Sequence, residues 1–126
     1  MSMRTPLARV RGLGSARSGT EHFWLQRLTA VSNVVLVSFL IGLLFTLAGA
    51  DYETVRRMLA KPYIAVPLLL LVLSAVIHMR LGMQTIIEDY VHSEGRKMAA
   101  LILNTFFAIL IGITCVFAVL KLSFGA

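Results

Sequence analysis

Three long apolar runs dominate the pattern of hydrophobic and polar positions along the chain. Residues 28–50 and 98–120 contain no charged residue, and residues 62–87 contain only Arg80. A helix needs about 20 apolar residues to cross the hydrocarbon core of a bilayer. The pattern therefore predicts an all-α membrane protein with three transmembrane helices, forming a single membrane-anchor domain over residues 1–126. The predicted helices cover about residues 22–50, 62–91 and 96–123.

The overall composition supports this fold class. Of the 126 residues, 58% are hydrophobic, and the mean hydropathy is +0.84. A chain this short and this apolar is not typical of a water-soluble domain folded around its own core. It also has no glycine fingerprint for a nucleotide, no Cys/His spacing for zinc and no nucleophile motif. We expect membrane lipid around the chain and no nucleic-acid partner.

The segments outside the three runs are short and polar. Residues 1–20 are rich in Arg, Gly and Ser, which is typical of a flexible basic tail that contacts anionic lipid head groups or a partner. Residues 51–61 predict a short helix in the membrane interface, with Asp51 able to cap it and Glu53 in its first turn. Gly95 predicts the turn between the second and third spans.

The first apolar run has a second interpretation as a secretory signal. The sequence "LAGA" at residues 47–50 resembles a cleavage site with small residues. However, the run of residues 28–50 is much longer than the roughly 7–15 apolar residues of a signal peptide. Its length favours a retained transmembrane anchor.

The uneven distribution of Lys and Arg predicts an orientation. Seven lie before the first run or between the second and third, whereas four lie between the first and second or after the third. Positive residues concentrate on the cytoplasmic side of membrane proteins. The N-terminus is therefore predicted to be cytoplasmic. The seven are Arg4, Arg9, Arg11, Arg17, Arg27, Arg96 and Lys97, and the four are Arg56, Arg57, Lys61 and Lys121.

The second run contains an unusual group of polar residues. At 3.6 residues per turn, Gly82 lies about 40° and Asp89 about 20° from His78 around the helix axis, whereas Arg80 lies on the far side. A neutral imidazole inside a membrane can bind haem iron, and a glycine one turn away gives the macrocycle clearance. The alternative is a histidine that hydrogen-bonds a neighbouring helix, with the glycine as a close-packing site.

A haem with two histidine ligands needs a second imidazole. The other histidines, His22 and His92, both lie near a predicted membrane boundary and cannot comfortably reach the depth of His78. If His78 binds haem, the second ligand must come from another subunit. The sequence then predicts a hetero-oligomer, in which these three helices form part of a larger helix bundle.

Polar residues near the predicted cytoplasmic boundary also allow two interpretations. Glu88, Asp89 and Tyr90 end the second run, and Arg27 lies on the same side of the membrane. Such residues are common as interface anchors. They also suit a lipid-soluble redox carrier that exchanges protons with water, because a phenol, carboxylates and a cation would then meet it at the interface.

The motif that begins at His78 resembles a known family. The stretch "HMRLGMQTIIEDYV" over residues 78–91 is similar to the second helix of the smaller hydrophobic anchor subunit, the D subunit, of succinate dehydrogenase, or respiratory complex II. The stretch "GTEHFWLQRLTA" over residues 19–30 is similar to that family's approach to its first helix. With three spans and a cytoplasmic N-terminus, the resemblance covers essentially the whole chain.

The resemblance implies roles for individual residues. His78 would be one axial ligand of haem b, and a histidine of the second, larger cytochrome b anchor subunit would be the other. Tyr90 would hydrogen-bond a carbonyl oxygen of ubiquinone, with Asp89 supporting that site. Arg27 would lie near the haem propionates or the quinone. Arg80 stands where an apolar residue is expected, which leaves its role open.

The resemblance also implies a complex and a location. Succinate would be oxidised on a flavoprotein subunit that carries FAD, and electrons would pass through an iron-sulfur subunit to ubiquinone, linking the tricarboxylic acid cycle to electron transport. This chain would anchor those subunits and carry out no chemistry alone. The location would be the bacterial inner (cytoplasmic) membrane, or the mitochondrial inner membrane if the source is eukaryotic.

Two alternatives follow from the same pattern. A fumarate reductase anchor would share the architecture and run the reaction in the other direction. A structural or transport helix bundle would bind no chromophore, and a small multidrug-type transporter would place a carboxylate in the middle of a span. The predicted spans contain none at mid-depth, where the one histidine is His78.

Overall fold

The fold consists of α-helices throughout the described part of the chain. The computed structural model describes residues 5–12 and 19–125, and no strand occurs among them. Three of these helices, Gly19–Leu47, Pro62–Tyr90 and Glu94–Phe124, are long and apolar enough to cross a membrane, which confirms the predicted fold class and the number of spans. The helices in chain order are α1 Pro6–Val10, α2 Gly19–Leu47, α3 Tyr52–Leu59, α4 Pro62–Tyr90 and α5 Glu94–Phe124.

The ends of α4 follow from its sequence. Pro62 occupies the first turn, where its missing N–H costs nothing, and Pro67 lies only about one turn further in. The helix ends at Tyr90, after which Val91 adopts an extended conformation. Ser93 then occupies the N-cap position of α5, and Gly95 lies inside the first turn of that helix. The expectation that Gly95 forms the turn is therefore wrong, because residues 91–93 already connect the two helices.

Helix α4 is the central element, and it packs against both α2 and α5. The buried apolar side chains are few. Within an apolar 18-residue stretch of each long helix, only 11% of the residues are buried. Most of the apolar surface of the isolated chain therefore has no protein contact. Such a surface suits lipid or the helices of other subunits. The buried apolar residues are Leu43, Ala65, Leu71, Leu81, Ile87 and Ala108.

Short helix α3 is fastened to the C-terminal end of α5. The guanidinium Nη2 of Arg56 donates to the carbonyl oxygen of Gly125 at 2.8 Å, and Ser123 Oγ lies 3.2 Å from the carbonyl oxygen of Leu59. Gly125 has a φ of +72°, the left-handed conformation that favours glycine. Asp51 occupies the N-cap position of α3, but its carboxylate makes no capping hydrogen bond.

These contacts divide the bundle into two ends. The end of α2, helix α3, the start of α4 and the end of α5 lie at one end, so the start of α2 and the α4–α5 connection lie at the other. Of the basic tail predicted over residues 1–20, α1 and the start of α2 are described. Residues 1–4 and 13–18 of that tail lie outside the described part of the chain. The cytoplasmic location of the N-terminus stays a prediction.

Candidate functional site

The imidazole of His78 faces α2. Its Nδ1 lies 3.1 Å from Oγ1 of Thr29, a hydrogen-bond distance across the α2–α4 interface. Thr29 is buried, with 6% of its surface exposed, and His78 is half-buried. Among the described residues, Nε2 of His78 has no hydrogen-bond partner. One ring nitrogen is therefore held by this chain, and the other is left for a partner outside it.

A row of polar residues runs along the face of α2 that contains Thr29. We call the following set the polar seam: His22, Gln26, Thr29 and Asn33 on α2, with Ser74 and His78 on α4. The spacing of the α2 members, four, three and four residues, keeps them on one face of a helix. Ser74 is buried, and its hydroxyl donates to the carbonyl oxygen of Thr29 at 3.3 Å. The seam joins the two helices by hydrogen bonds as well as by packing.

Three atoms of the polar seam have no hydrogen-bond partner among the described residues. They are Nε2 of His22, Oε1 of Gln26 and Oδ1 of Asn33, and each atom is buried. Leaving a buried polar atom without a partner costs about 1–3 kcal/mol. A ligand or another chain that reached this seam would relieve that cost.

Gly82 lies one turn from His78 and also faces α2. A Cβ built on Gly82 would lie 3.4 Å from Nε2 of Gln26. The glycine therefore permits close approach of the two helices at this level. In this chain the side chain of Gln26 occupies the space beside Gly82, and clearance for a haem at Gly82 stays a prediction.

Asp89 and Tyr90 are the last two residues of α4, and both are exposed. Tyr90 exposes 77% of its surface and lines a shallow cleft of about 330 Å³ together with His92 and Arg96. Asp89 makes no hydrogen bond or ion pair with another described residue, whereas Glu88 accepts a hydrogen bond from Nε2 of Gln84 at 2.8 Å. The phenol and the carboxylate of Asp89 are thus both available to a ligand.

Arg27 is not brought together with His78. It lies two residues before Thr29, which places it about 3 Å along the axis from the level of His78 but on roughly the opposite side of α2. Its guanidinium stacks on the ring of Phe23, with the central carbon 3.4 Å from the ring centroid. The side chain is exposed and could meet an anion from another chain, and it makes no hydrogen bond with the polar seam among the described residues.

Arg80 lies on the other side of α4 from His78, as the helical spacing predicts. The side chain is exposed and lines a groove between α4 and α5 beside Ala108 and Gly112. The backbone carbonyl oxygen of Arg80 accepts a hydrogen bond from Nδ2 of the buried Asn104 at 2.9 Å. Among the described residues, its guanidinium has no ion-pair partner.

The polar seam was not recognised from sequence. Thr29 and Gln26 lie in an apolar context, where a threonine usually hydrogen-bonds its own helix. A signal was nevertheless present, because residues 22, 26, 29 and 33 repeat with the spacing of one helix face. Ser74, one turn before His78, extends the same polar face on α4.

The residues fit a haem that takes one axial ligand from this chain. A haem-ligating imidazole commonly donates its second ring N–H to an oxygen, which fixes the ring orientation. His78 has this arrangement, with an oxygen at Nδ1 and no described partner at Nε2. Within residues 5–12 and 19–125, no three His, Cys, Asp or Glu side chains cluster to hold a metal ion by themselves. A haem shared with another subunit would need only one such side chain, His78, from this chain.

Fold and site together define a three-span helical membrane protein with an intramembrane histidine held between two of its helices. Residues 1–112 match the family model described as the succinate dehydrogenase/fumarate reductase transmembrane subunit. That match covers most of the chain. The protein belongs to this family, which confirms the resemblance found in the sequence.

Several relatives are similar over most of their length. The succinate dehydrogenase hydrophobic membrane anchor subunit of Rickettsia bellii is 35% identical over 118 residues, covering 92% of this chain and 93% of the relative. The subunit of the same name from Paracoccus denitrificans is 30% identical, covering 97% and 94%. The succinate dehydrogenase membrane anchor subunit of Reclinomonas americana is 34% identical, covering 74% and 80%. These relatives support a role as a membrane anchor subunit of succinate dehydrogenase.

Proposed function

We propose that this chain anchors the catalytic subunits of a succinate:ubiquinone oxidoreductase, supplies one axial ligand of haem b and forms part of the ubiquinone-reduction site. The observation that carries this proposal is the environment of His78. Its imidazole lies inside a span, is held at Nδ1 by Thr29 and has no described partner at Nε2. Family membership supports the same role, since the relatives are named as anchor subunits of this enzyme.

His78 would hold the haem iron through Nε2, and Gly82 lies on the same helix face one turn away. When bound, haem b supplies one-electron redox chemistry close to the quinone. Arg27 lies at nearly the same depth and carries an exposed guanidinium, which suits a propionate brought by a haem shared with a second anchor. The second axial histidine comes from that larger cytochrome b anchor subunit.

Tyr90 and Asp89 would contribute to the quinone site. Reduction of ubiquinone to ubiquinol takes up two electrons and two protons, so the site must combine lipid access with proton access. Tyr90 is an exposed phenol at the end of a span, and its hydroxyl would donate to a quinone carbonyl oxygen as negative charge develops there. Asp89 beside it is an exposed carboxylate with no hydrogen-bond or ion-pair partner among the described residues, which suits a site that takes up protons from water.

The partners would be the second cytochrome b anchor, the iron-sulfur subunit and the flavoprotein subunit with its FAD. Two observations favour association with other chains in a membrane. Only 11% of the residues in an apolar 18-residue stretch of each long helix are buried within the chain. Three buried polar atoms of the seam also lack partners among the described residues. With the predicted orientation, the soluble subunits would sit on the cytoplasmic face of the bacterial inner membrane.

The test is a reduced-minus-oxidised absorption spectrum of the complex purified through this chain. We expect a b-type haem band in the wild type and loss of most of that band in His78→Leu, because the iron loses an axial ligand. The matched control is His92→Leu, which changes an exposed histidine just beyond α4 and should leave the band unchanged. Co-purifying flavoprotein and iron-sulfur subunits are part of the expected result. A wild-type complex without haem, or a band that His78→Leu leaves intact, would contradict the proposal.

A further inference from the structure

We infer that Thr29 is a positioning residue that fixes the tautomer and ring orientation of His78, so that Nδ1 carries the proton and Nε2 presents its lone pair. This inference rests on the proposed role of His78 as a ligand and assigns a specific task to a residue of α2. The contact that carries it is the 3.1 Å separation between Thr29 Oγ1 and His78 Nδ1.

The surroundings of the threonine hydroxyl decide where its hydrogen lies. Oγ1 of Thr29 is 2.8 Å from the carbonyl oxygen of Leu25 and 3.1 Å from that of Gln26. Two oxygens at 2.8 Å are at the usual O–H···O distance and would repel without a hydrogen between them. The single hydroxyl hydrogen therefore points to Leu25. Oγ1 can then only accept from His78, which places a proton on Nδ1.

The protonation of Nδ1 determines the chemistry of the other ring nitrogen. A neutral imidazole has one N–H and one lone pair, so a proton on Nδ1 leaves the lone pair on Nε2. The hydrogen bond to Thr29 also makes Nε2 a stronger electron donor and prevents rotation of the ring. Both effects are in place before a second subunit arrives, because α2 and α4 belong to the same chain.

The threonine itself is held firmly. It is buried, and its backbone carbonyl oxygen accepts the hydrogen bond from Ser74 Oγ, one turn before His78 on α4. The hydroxyl and the carbonyl of one residue therefore contact two successive turns of α4. This arrangement ties the position of the ligand to the packing of α2 against α4.

The experiment compares three variants of the whole complex. Thr29→Val removes the hydroxyl while keeping the branched shape and the backbone bond to Ser74, and Thr29→Ser keeps the hydroxyl. The control is Thr105→Val, because Thr105 bonds the carbonyl oxygen four residues earlier in α5 but touches no histidine. The readouts are haem content, the electron paramagnetic resonance spectrum of the oxidised haem and its midpoint potential.

We expect Thr29→Val to lower haem affinity roughly tenfold or more, the usual effect of losing such a supporting hydrogen bond. The remaining haem should show a shifted paramagnetic resonance spectrum and a more positive midpoint potential, because a weaker imidazole donor stabilises the oxidised iron less. Thr29→Ser should restore the haem affinity, the spectrum and the midpoint potential, and Thr105→Val should match the wild type. A general packing defect would lower haem content without this shift in potential.

The pattern of outcomes separates the inference from the proposed function. If His78→Leu removes the haem but Thr29→Val behaves like Thr105→Val, the inference about Thr29 is wrong and the role of His78 stands. If His78→Leu leaves the haem in place, His78 is not the ligand, and the proposed role of His78 and the inference about Thr29 are both wrong. A Thr29→Ser variant that fails to restore the potential also overturns the inference, since serine retains the accepting oxygen.

Discussion

The candidate functional residues of α4 lie in two different environments. His78 is half-buried and hydrogen-bonded to a neighbouring helix, whereas Tyr90 at the end of the same helix is almost fully exposed. Twelve residues at 1.5 Å per residue separate them by about 18 Å along the axis. A half-buried imidazole held by a hydrogen bond suits a permanently bound group, and an exposed phenol suits a substrate that enters and leaves.

The role of Tyr90 can be tested by removing one oxygen atom. We expect Tyr90→Phe to lower the rate of succinate-dependent ubiquinone reduction about 10- to 100-fold, because the developing charge on the quinone oxygen loses a donor. Electron transfer from succinate to an artificial acceptor that bypasses the membrane site should be unchanged. The control is Tyr63→Phe, an exposed tyrosine at the other end of α4. Equal quinone reductase rates for the two variants would exclude Tyr90 from the site.

At the scale of helices, the packing of α2 on α4 depends on small residues and on the polar seam. Gly82 and Ser74 lie one turn to either side of His78, and both face α2. Lipid provides no hydrophobic force that pushes two apolar helices together, so close backbone approach and hydrogen bonds must hold them. The proposed haem ligand and the helix packing therefore use the same surface.

Enlarging the glycine should separate the two helices. We expect Gly82→Leu to destabilise the complex by about 1–3 kcal/mol, because the added side chain meets Gln26, and to lower the temperature at which haem is lost. Gly42→Leu is the control, since a Cβ at Gly42 on α2 meets nothing within 4 Å. The measurement is a thermal melt of the purified complex followed at the haem band. If Gly82→Leu and Gly42→Leu lose haem at the same temperature, the close approach of residue 82 to Gln26 does not contribute to the stability of the complex.

The helices could be predicted from sequence, but the pairing of their faces could not. Length and composition suffice for three spans, and the spacing of His78 and Gly82 correctly puts them on one side of α4. A span that is apolar all round gives little information about which side meets a neighbour. Thr29 was missed for this reason, and Gly95 was assigned to a turn because a glycine in the first turn of a helix has no distinct sequence signal.

At the scale of the whole molecule, the two ends of the bundle differ in chemistry. One end contains α3 fastened to the C-terminus of α5 through Arg56, and the other contains Tyr90 and the α4–α5 connection. The excess of basic residues at the second end predicts that it faces the cytoplasm. The location of the proposed quinone site relative to the proposed soluble subunits depends on that orientation.

Labelling of single cysteines tests the orientation. In a Cys115→Ala background, which removes the one native cysteine, we expect a membrane-impermeant maleimide to label Glu53→Cys on α3 in intact spheroplasts. The matched variant Ser93→Cys, in the α4–α5 connection, should react only in inverted vesicles. Both positions are exposed in the chain. The reverse pattern of labelling would place the N-terminus outside the cytoplasm.

Only a small fraction of each span is buried within the chain. This limits the stability of the chain alone and so affects how much of the protein accumulates in a cell. In the proposed complex, other subunits would cover part of the remaining apolar surface and would act as ligands that bind the folded form. Each tenfold rise in the free concentration of a partner then adds about 1.4 kcal/mol to the stability of this chain. Copies made in excess of the partners remain marginally stable and are open to degradation. If the proposed complex forms, we therefore expect the steady-state level of the anchor to follow the supply of its partners.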